Sequence, residues 1–399
     1  MSKPDRLLFL LILVFAHGIL LLLAASQVRA NPADPAIGQA TYNEAVAGYV
    51  LVRGAGAVDE DFSYSRAGGI IDVTHLATGT YSVFFVDAAS NIEGNGHVQV
   101  TPIGANVHCP VRGWDTFGAN NYRVDLLCLD NDAGERVNSD FSMLVLDEGG
   151  GNNPNLAFTY SQERAPAGGE LDLTNSDDTY NPGGGQTVLF HTGTGRYSIV
   201  FHDLGQVMHT TAHVQITPVT SGFMGDVVIS CGVAAQWEFI GGNLTVPVQC
   251  SDLDGNPLDA TFNVLVTSGE EVAPGFAYAL NDVLDEAEFT ELTNDYVYNP
   301  FGDVLARRLN GLDGYLLHFL GVTTENGGNI VVTPYAAPGT SCAILDWRAL
   351  NSGEGLTVQI RCFSASRTHV DAMFTVLSTF VDASPAPEQR RLYLPIFTR

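Results

Sequence analysis

The chain has 399 residues, of which 45% are hydrophobic and 16% charged, and its formal net charge is −26. This composition is typical of a globular protein long enough for two to four domains. So large a negative charge argues against nucleic acid or an anionic lipid surface as a partner, because phosphate groups would be repelled. The single lysine, Lys3, precedes a long apolar run. The chain beyond that run therefore has no lysine for Schiff-base chemistry or a phosphate-binding loop.

The N-terminal segment, residues 1–30, has the three parts of a signal peptide. Lys3 and Arg6 form the basic start, residues 7–25 the apolar core, and residues 28–30 a small-x-small end. The apolar run is also long enough to span a bilayer as an uncleaved anchor, and this alternative stays open. In both cases we expect an exported protein, either secreted and extracellular or held at the cell surface. Once the segment is removed, we expect no membrane span.

One phrase occurs three times in the chain, at equal intervals of 116 residues. The copies are HVQVTP at 97–102, HVQITP at 213–218 and NIVVTP at 329–334. This period is too long for a solenoid unit and suits a whole domain. The sequence therefore predicts three β repeats, at 45–147, 156–267 and 276–381, followed at 382–399 by a Pro-rich linker and an apolar, basic tail.

The six cysteines are distributed two per repeat. In an exported protein this predicts one disulfide in each repeat. The predicted pairs are Cys109 with Cys128, Cys231 with Cys250, and Cys342 with Cys362. A structural metal site would need clustered ligands such as C-x2-C, which the sequence lacks. Strand alternation places the second cysteine of each pair on the apolar face, towards the core.

Each copy consists of short apolar or alternating segments bounded by Gly, Asn, Asp and Pro, without a helical period. The pattern predicts an all-β fold of three tandem antiparallel β-sandwich or barrel-like domains. The connections at 148–155 and 268–275 are rich in Gly, Pro and acidic residues, which predicts neighbouring domains that are close but articulated. Within the first phrase, alternation puts His97, Gln99 and Thr101 on one face, which we expect to be the wetter one.

Histidines are concentrated in the middle repeat. If 197–202 and 213–217 form a hairpin, His202 lies opposite His213, and His209 with Asp203 could complete a zinc or copper site. The alternative is a pair of surface histidines without a role. No cofactor is required by this reasoning, and zinc stays open.

Two acidic turns resemble calcium loops. They are DLDGNPLD at 252–259 and DNDAGE at 130–135, in which carboxylates alternate before a glycine. Both lack the complete pattern and its distal glutamate. Ordinary turn chemistry is the alternative, and calcium stays open.

Three equivalent tyrosines are candidates for ligand binding. Tyr64, Tyr180 and Tyr298 lie in corresponding turns, two of which read YNP. Exposed in a row, they would suit a polysaccharide; packed under their turns, they would be structural. The usual nucleophile, metalloprotease and phosphate-loop motifs are absent from the sequence, so we expect no catalytic residues and no enzyme.

The combined pattern GxYxVxF, GxVQVTP, a Cys with a nearby Trp, and VxCxDxxGxPxDAxF resembles β-domain repeats of secreted actinobacterial and Chloroflexi-type proteins. The second copy matches best, through Tyr197, Val214, Cys231, Cys250, Asp259 and Phe262. The first copy departs from the pattern at Asn138, and the third lacks the glycine turn after Cys362. The ending LYLPIFTR is similar to a YLP ending of exported Chloroflexi proteins. The resemblance implies export and domain repetition, and it carries over no functional residue.

The sequence thus favours a non-enzymatic secreted or cell-surface protein that acts as a spacer, adhesin or matrix component. The alternative is a carbohydrate-binding protein that uses the exposed aromatic loops, and a lesser one is an exported metal-binding protein. Under these hypotheses the partner is a cell-envelope component or a polysaccharide.

Overall fold

The computed structural model describes residues 45–380 except 93–95, 105, 149–152, 163–165, 209–210, 221–226, 253, 270–274, 310–313, 323–327, 351–353 and 365–367. The predicted signal peptide, the tail and His209 lie outside the described residues. The described part consists of strands and turns, with short 3-10 turns at Ala89–Asn91 and Leu204–Gln206. None of its helical segments is long and apolar enough to cross a membrane.

The strands are numbered in chain order. Those of the first repeat are β1 (Val46–Arg53), β2 (Ala57–Ser65), β3 (Ile71–Ala77), β4 (Thr80–Phe85), β5 (His97–Ile103), β6 (Val107–His108), β7 (Val111–Phe117), β8 (Asn121–Leu127), β9 (Leu129–Asp130) and β10 (Asp140–Leu146). Those of the second are β11 (Leu156–Tyr160), β12 (Glu170–Asp172), β13 (Thr187–Gly193), β14 (Arg196–Phe201), β15 (His213–Val219), β16 (Ser230–Val233), β17 (Glu238–Ile240), β18 (Asn243–Ser251) and β19 (Thr261–Thr267). Those of the third are β20 (Phe276–Asn281), β21 (Thr290–Glu291), β22 (Val304–Arg308), β23 (Tyr315–Leu320), β24 (Asn329–Tyr335), β25 (Ser341–Ala349), β26 (Gly355–Phe363), β27 (His369–Val370) and β28 (Met373–Thr379).

Each repeat builds a β-sandwich, which confirms the predicted all-β fold class. In the first repeat, β1, β10 and β5 form one layer, and β3, β4, β8 and β7 form the other. Val50 and Val100 from the first layer pack in one core with Val83 and Val124 from the second. The layers close on each other because the apolar side chains of every strand alternate towards the same interior.

The disulfides have the predicted pairing in all three repeats. The paired Cα atoms are 4.1, 4.1 and 4.0 Å apart in chain order. Cys231 lies directly opposite Cys250, and Cys342 opposite Cys362, in antiparallel neighbours. The second cysteine of each pair is buried, as expected from strand alternation. Each bond closes a short loop and stabilises its sandwich by about 3 kcal/mol in the chain-entropy model.

The three large sheets of the described part each combine strands from two repeats. Their orders are β2-β1-β10-β5-β25-β26-β23-β22-β21, β11-β19-β15-β7-β8-β4-β3 and β12-β13-β14-β18-β16-β24-β28-β20. One layer of the first repeat therefore continues into the third repeat, one layer of the second into the first, and one layer of the third into the second. The described strands all fall within the predicted repeat limits.

Three equivalent junctions join these layers. At each one, the strand that carries the repeated phrase runs one residue past its proline and pairs in parallel with a strand of another repeat. The closing hydrogen bonds run from Gly104 N to Ile344 O, from Thr220 N to Val111 O, and from Ala336 N to Val233 O, each 2.8 Å long. The cycle is closed, so the expectation of articulated domains is wrong: shared sheets fix each repeat to both others.

Candidate functional site

The strands of the repeated phrase, β5, β15 and β24, meet where the three repeats converge, and we call this region the axis. Val98 and Val100 face the core of the first sandwich. His97, Gln99 and Thr101, on the opposite face, are also buried. The expectation that this face is the wetter one is wrong. Its polar side chains meet their equivalents from the other repeats instead of water.

Hydrogen bonds link the axis strands around the cycle. Thr217 Oγ1 donates to Gln99 Oε1 at 2.6 Å and accepts from Val100 N at 3.1 Å. Thr333 Oγ1 makes the same two bonds, to Gln215 Oε1 at 2.7 Å and from Ile216 N at 2.8 Å.

The third link is reduced. Thr101 Oγ1 accepts from Val332 N at 2.9 Å, while Val331 occupies the position of the glutamines. The axis therefore has two complete links and one partial link, and each replaces water that the buried groups would otherwise require.

The axis histidines are structural. Gln99 Nε2 contacts His97 Nε2 at 2.7 Å, and Gln215 Nε2 contacts His213 Nε2 at 2.8 Å, so in each pair the amide donates to the ring nitrogen. Burial lowers the pKa of both histidines to about 3, so both are neutral at pH 7. In the third repeat Asn329 takes this position, and its Nδ2 donates to Ser142 Oγ at 2.6 Å.

Both histidine rings also stack across repeats. His97 lies 5.0 Å from Phe158 of the second repeat, and His213 lies 4.7 Å from Tyr278 of the third, as measured between ring centroids. These aromatic residues belong to an apolar cluster with members from all three repeats. The His, His, Asn series at the start of the phrase therefore belongs to the packing of the axis.

Each of the three candidate tyrosines packs against an aromatic residue of the strand with which its own backbone pairs. Tyr180 is 8% exposed and lies 5.8 Å from the ring of Phe158. Tyr64 and Tyr298 are half-buried, 5.6 Å from Tyr49 and 5.5 Å from Tyr278 respectively. These contacts fix each ring against its neighbour, and a role of the three tyrosines in ligand binding stays a prediction.

The proposed histidine hairpin is not formed. Strand β14 pairs with β13 and β18, whereas β15 pairs with β19 and β7 in another sheet. His202 is half-buried and His213 is fully buried in the axis. Asp203 instead accepts a hydrogen bond from Gln206 Nε2 at 2.7 Å. Within the residues that the structure describes, no group of three or more His, Cys, Asp or Glu side chains could hold a metal ion.

The acidic turns use their leading carboxylates locally. Asp252 Oδ1 accepts from the backbone N–H groups of Asp254 and Asn256, both at 2.9 Å. Asp130 Oδ1 does the same for Asp132 at 2.6 Å and Ala133 at 2.9 Å. These are the side-chain-to-backbone bonds that favour aspartate in turns.

A polar anchor, which the sequence reasoning missed, recurs in each repeat. In the second repeat Asp259 Oδ1 accepts from Gly195 N at 2.7 Å, contacts His191 Nε2 at 3.0 Å, and accepts from the Tyr197 hydroxyl at 3.4 Å. The third repeat uses Asp371, which bonds Arg308 and the Tyr315 hydroxyl. In the first repeat Asn138 bonds His75 and Gly79 N. The signal was available, because the tyrosine and the Asp or Asn recur at equivalent positions.

Comparison with family models, curated proteins and solved structures gave no match to the chain. Function must therefore be inferred from the geometry itself.

Proposed function

We propose that the protein is a non-enzymatic, exported scaffold that works at the cell surface or in an extracellular matrix, as an adhesin or matrix component. One observation carries this proposal: side chains of the phrase that occurs in all three copies close the repeats onto one another through the axis. Two hydrogen bonds at the axis join different repeats, one between Gln99 and Thr217 and one between Gln215 and Thr333. The resemblance of the repeats to secreted bacterial domains supports the same reading.

The disulfides support an oxidising compartment. All six cysteines are paired, two in each repeat. Such bonds persist in secreted and surface proteins and are rare in the reducing cytosol. The large negative charge agrees with a protein that stays soluble outside the cell.

Ring closure favours an adhesin or matrix component over an extended spacer. Three domains in a line would add length, whereas a closed cycle displays three outer sheet faces around one rigid body. Several faces on one rigid body can contribute avidity when the target is repetitive. A binding role therefore fits this arrangement better than the role of an extended spacer.

Co-sedimentation of the purified protein with envelopes of its own cells tests the proposal. We expect retention of the native protein, and a radius of gyration near that of a compact chain of this length, about 21 Å. An acidic globular protein of similar charge is the control for nonspecific retention. Failure to sediment above this control would contradict the surface role, and a much larger radius would contradict the compact scaffold.

A further inference from the structure

The outer face of the third repeat carries a depression of about 180 Å³ on strands β23, β25 and β26. It is lined by three apolar residues, Leu316, Ala349 and Leu350, and by polar side chains of varied type. The polar lining residues used below are His318, Asp346, Arg348, Thr357 and Gln359.

The lining includes a buried hydroxyl without a partner. Thr357 is 8% exposed, and its Oγ1 has no hydrogen-bond partner among the described residues. A buried hydroxyl in this state is destabilising, so such groups call for a specific explanation. A ligand in the depression that supplies the missing hydrogen bond is such an explanation.

On the equivalent face of the first repeat, the charged side chains pair with one another. Arg123 stands at the position of Thr357, Asp125 at that of Gln359, and Asp115 at that of Arg348, as the strand registers show. Arg123 pairs with Asp115 at 3.0 Å and with Asp125 at 3.5 Å.

In the third repeat the corresponding groups remain available. Asp346 and Arg348 are both exposed, and no ion pair joins them in the described part of the chain. The two faces have the same strand register, but the charged groups pair with one another only in the first repeat.

An aromatic contact positions His318. Its ring centroid lies 4.0 Å from that of Phe289, and the Arg307 guanidinium lies 4.6 Å from the Phe289 ring. Desolvation, followed by the charge of Arg307, lowers the pKa of His318. The imidazole is therefore neutral at pH 7 and offers one donor and one acceptor nitrogen.

These groups match the hydrogen-bonding character of sugar hydroxyls, which both donate and accept. Asp346 accepts, Arg348 donates, and the amide of Gln359 does both. Leu316 supplies an apolar surface for the C–H face of a ring, as expected in a site with few, placed polar groups. A carboxylated or phosphorylated ligand would gain from Arg348 but would be repelled by Asp346 and by the net charge of −26.

We propose that this face of the third repeat binds an uncharged pyranose unit of a polysaccharide, through Asp346, Arg348, Gln359, His318 and the Thr357 hydroxyl. The site is separate from the YNP turns, and it does not depend on the scaffold role.

Isothermal titration of the purified protein with cellohexaose, xylohexaose, mannohexaose, chitohexaose and hexagalacturonate tests the site. We expect saturable binding of at least one uncharged oligosaccharide and weaker or no binding of hexagalacturonate. Asp346→Ala and Arg348→Ala should each weaken binding at least tenfold. The matched control is Asp115→Ala on the equivalent face of the first repeat, which should leave the affinity unchanged.

Three results would overturn the proposal: no binding of any uncharged oligosaccharide, tighter binding of hexagalacturonate, or equal affinity of the Asp346 and Arg348 variants and the control. Envelope retention that survives both variants would still leave the scaffold role standing. The two proposals therefore fail separately.

The Thr357→Val substitution gives a second readout with opposite signs. It removes the unpaired hydroxyl at almost constant volume, so we expect the Tm of the free protein to rise, by about 2 °C, while sugar affinity falls. A purely structural threonine would move the two quantities together. A lower Tm, or an unchanged affinity for the sugar, would show that the Thr357 hydroxyl does not bind the ligand.

Discussion

The axis and the outer sheet faces follow opposite rules in this molecule. Along the axis, the threonine of the repeated phrase keeps its residue type in all three copies, as Thr101, Thr217 and Thr333, all buried. On the outer faces equivalent positions differ, as in Arg123 of the first repeat and Thr357 of the third. The threonines that recur in the copies link the repeats into the ring, and the outer-face positions that differ supply the polar groups of the proposed sugar site.

Acid should disturb the axis more than any single substitution. Burial lowers the pKa of His97 and His213 to about 3 and that of His108 to about 4, against 6.5 for an exposed histidine. The unfolded chain binds protons below pH 6.5 that the folded chain refuses, so stability falls as the pH falls from 6.5 towards 3. At pH 5 we expect a loss of about 2 kcal/mol per histidine relative to pH 7.

Urea unfolding at pH 7 and pH 5 measures this loss, and the chain offers its own control. His97→Asn places there the residue that stands at position 329 in the third repeat. The variant should lose about 2 kcal/mol less than the wild type between the two pH values. An identical loss would mean that His97 is not held neutral by the fold.

Substitutions at the axis threonines should distinguish the two complete links from the partial one. Thr217→Val leaves Gln99 Oε1 and Val100 N without their buried partner, which costs about 2–4 kcal/mol. No glutamine is present at the third link, so Thr101→Val removes only the partner of Val332 N and a long bond of 3.5 Å to Val332 O, and costs about 1–2 kcal/mol. Urea midpoints of the two variants give the comparison, and equal losses would contradict the unequal axis.

The junctions should be sensitive to one methyl group where two repeats approach closely. A Cβ on Gly232 would lie 2.6 Å from Pro334 O across the junction between β16 and β24. Gly232→Ala should therefore destabilise the protein by about 1–3 kcal/mol. Gly113→Ala is the matched control, because a Cβ there meets nothing within 4 Å. Thermal unfolding of both variants tests this. Equal Tm values would show that the backbone at the junction shifts to accept the methyl group without loss of stability.

The sequence predicted the strands and disulfides because both depend on local pattern. Cysteine count and strand parity are enough to pair Cys231 with Cys250 and to place the latter inwards. Closure of the ring was not predictable in the same way. A strand with polar residues on one face has the same sequence pattern whether water or another repeat covers that face. His97, Gln99 and Thr101 are the case in point.

The wrong histidine hairpin has a related cause. Adjacent segments of a sandwich often cross between layers instead of pairing. Strands β14 and β15 lie in different sheets, which separates His202 from His213. The depression beside Thr357 depends on which side chains satisfy one another across three strands, a property that no short segment carries.

The smallest effects should come from the outer faces, and they sharpen the contrast with the axis. Arg123→Ala removes two partly exposed ion pairs and a contact of 4.8 Å with the Phe117 ring. Exposed pairs contribute little, so we expect a loss of up to about 1 kcal/mol. Arg348→Ala, on the open face of the third repeat, should change stability by less than about 0.5 kcal/mol. Differential scanning calorimetry of both variants decides the point. A larger loss of stability for Arg348→Ala would mean that the outer face of the third repeat stabilises the fold. That face would then not be a surface left free for binding.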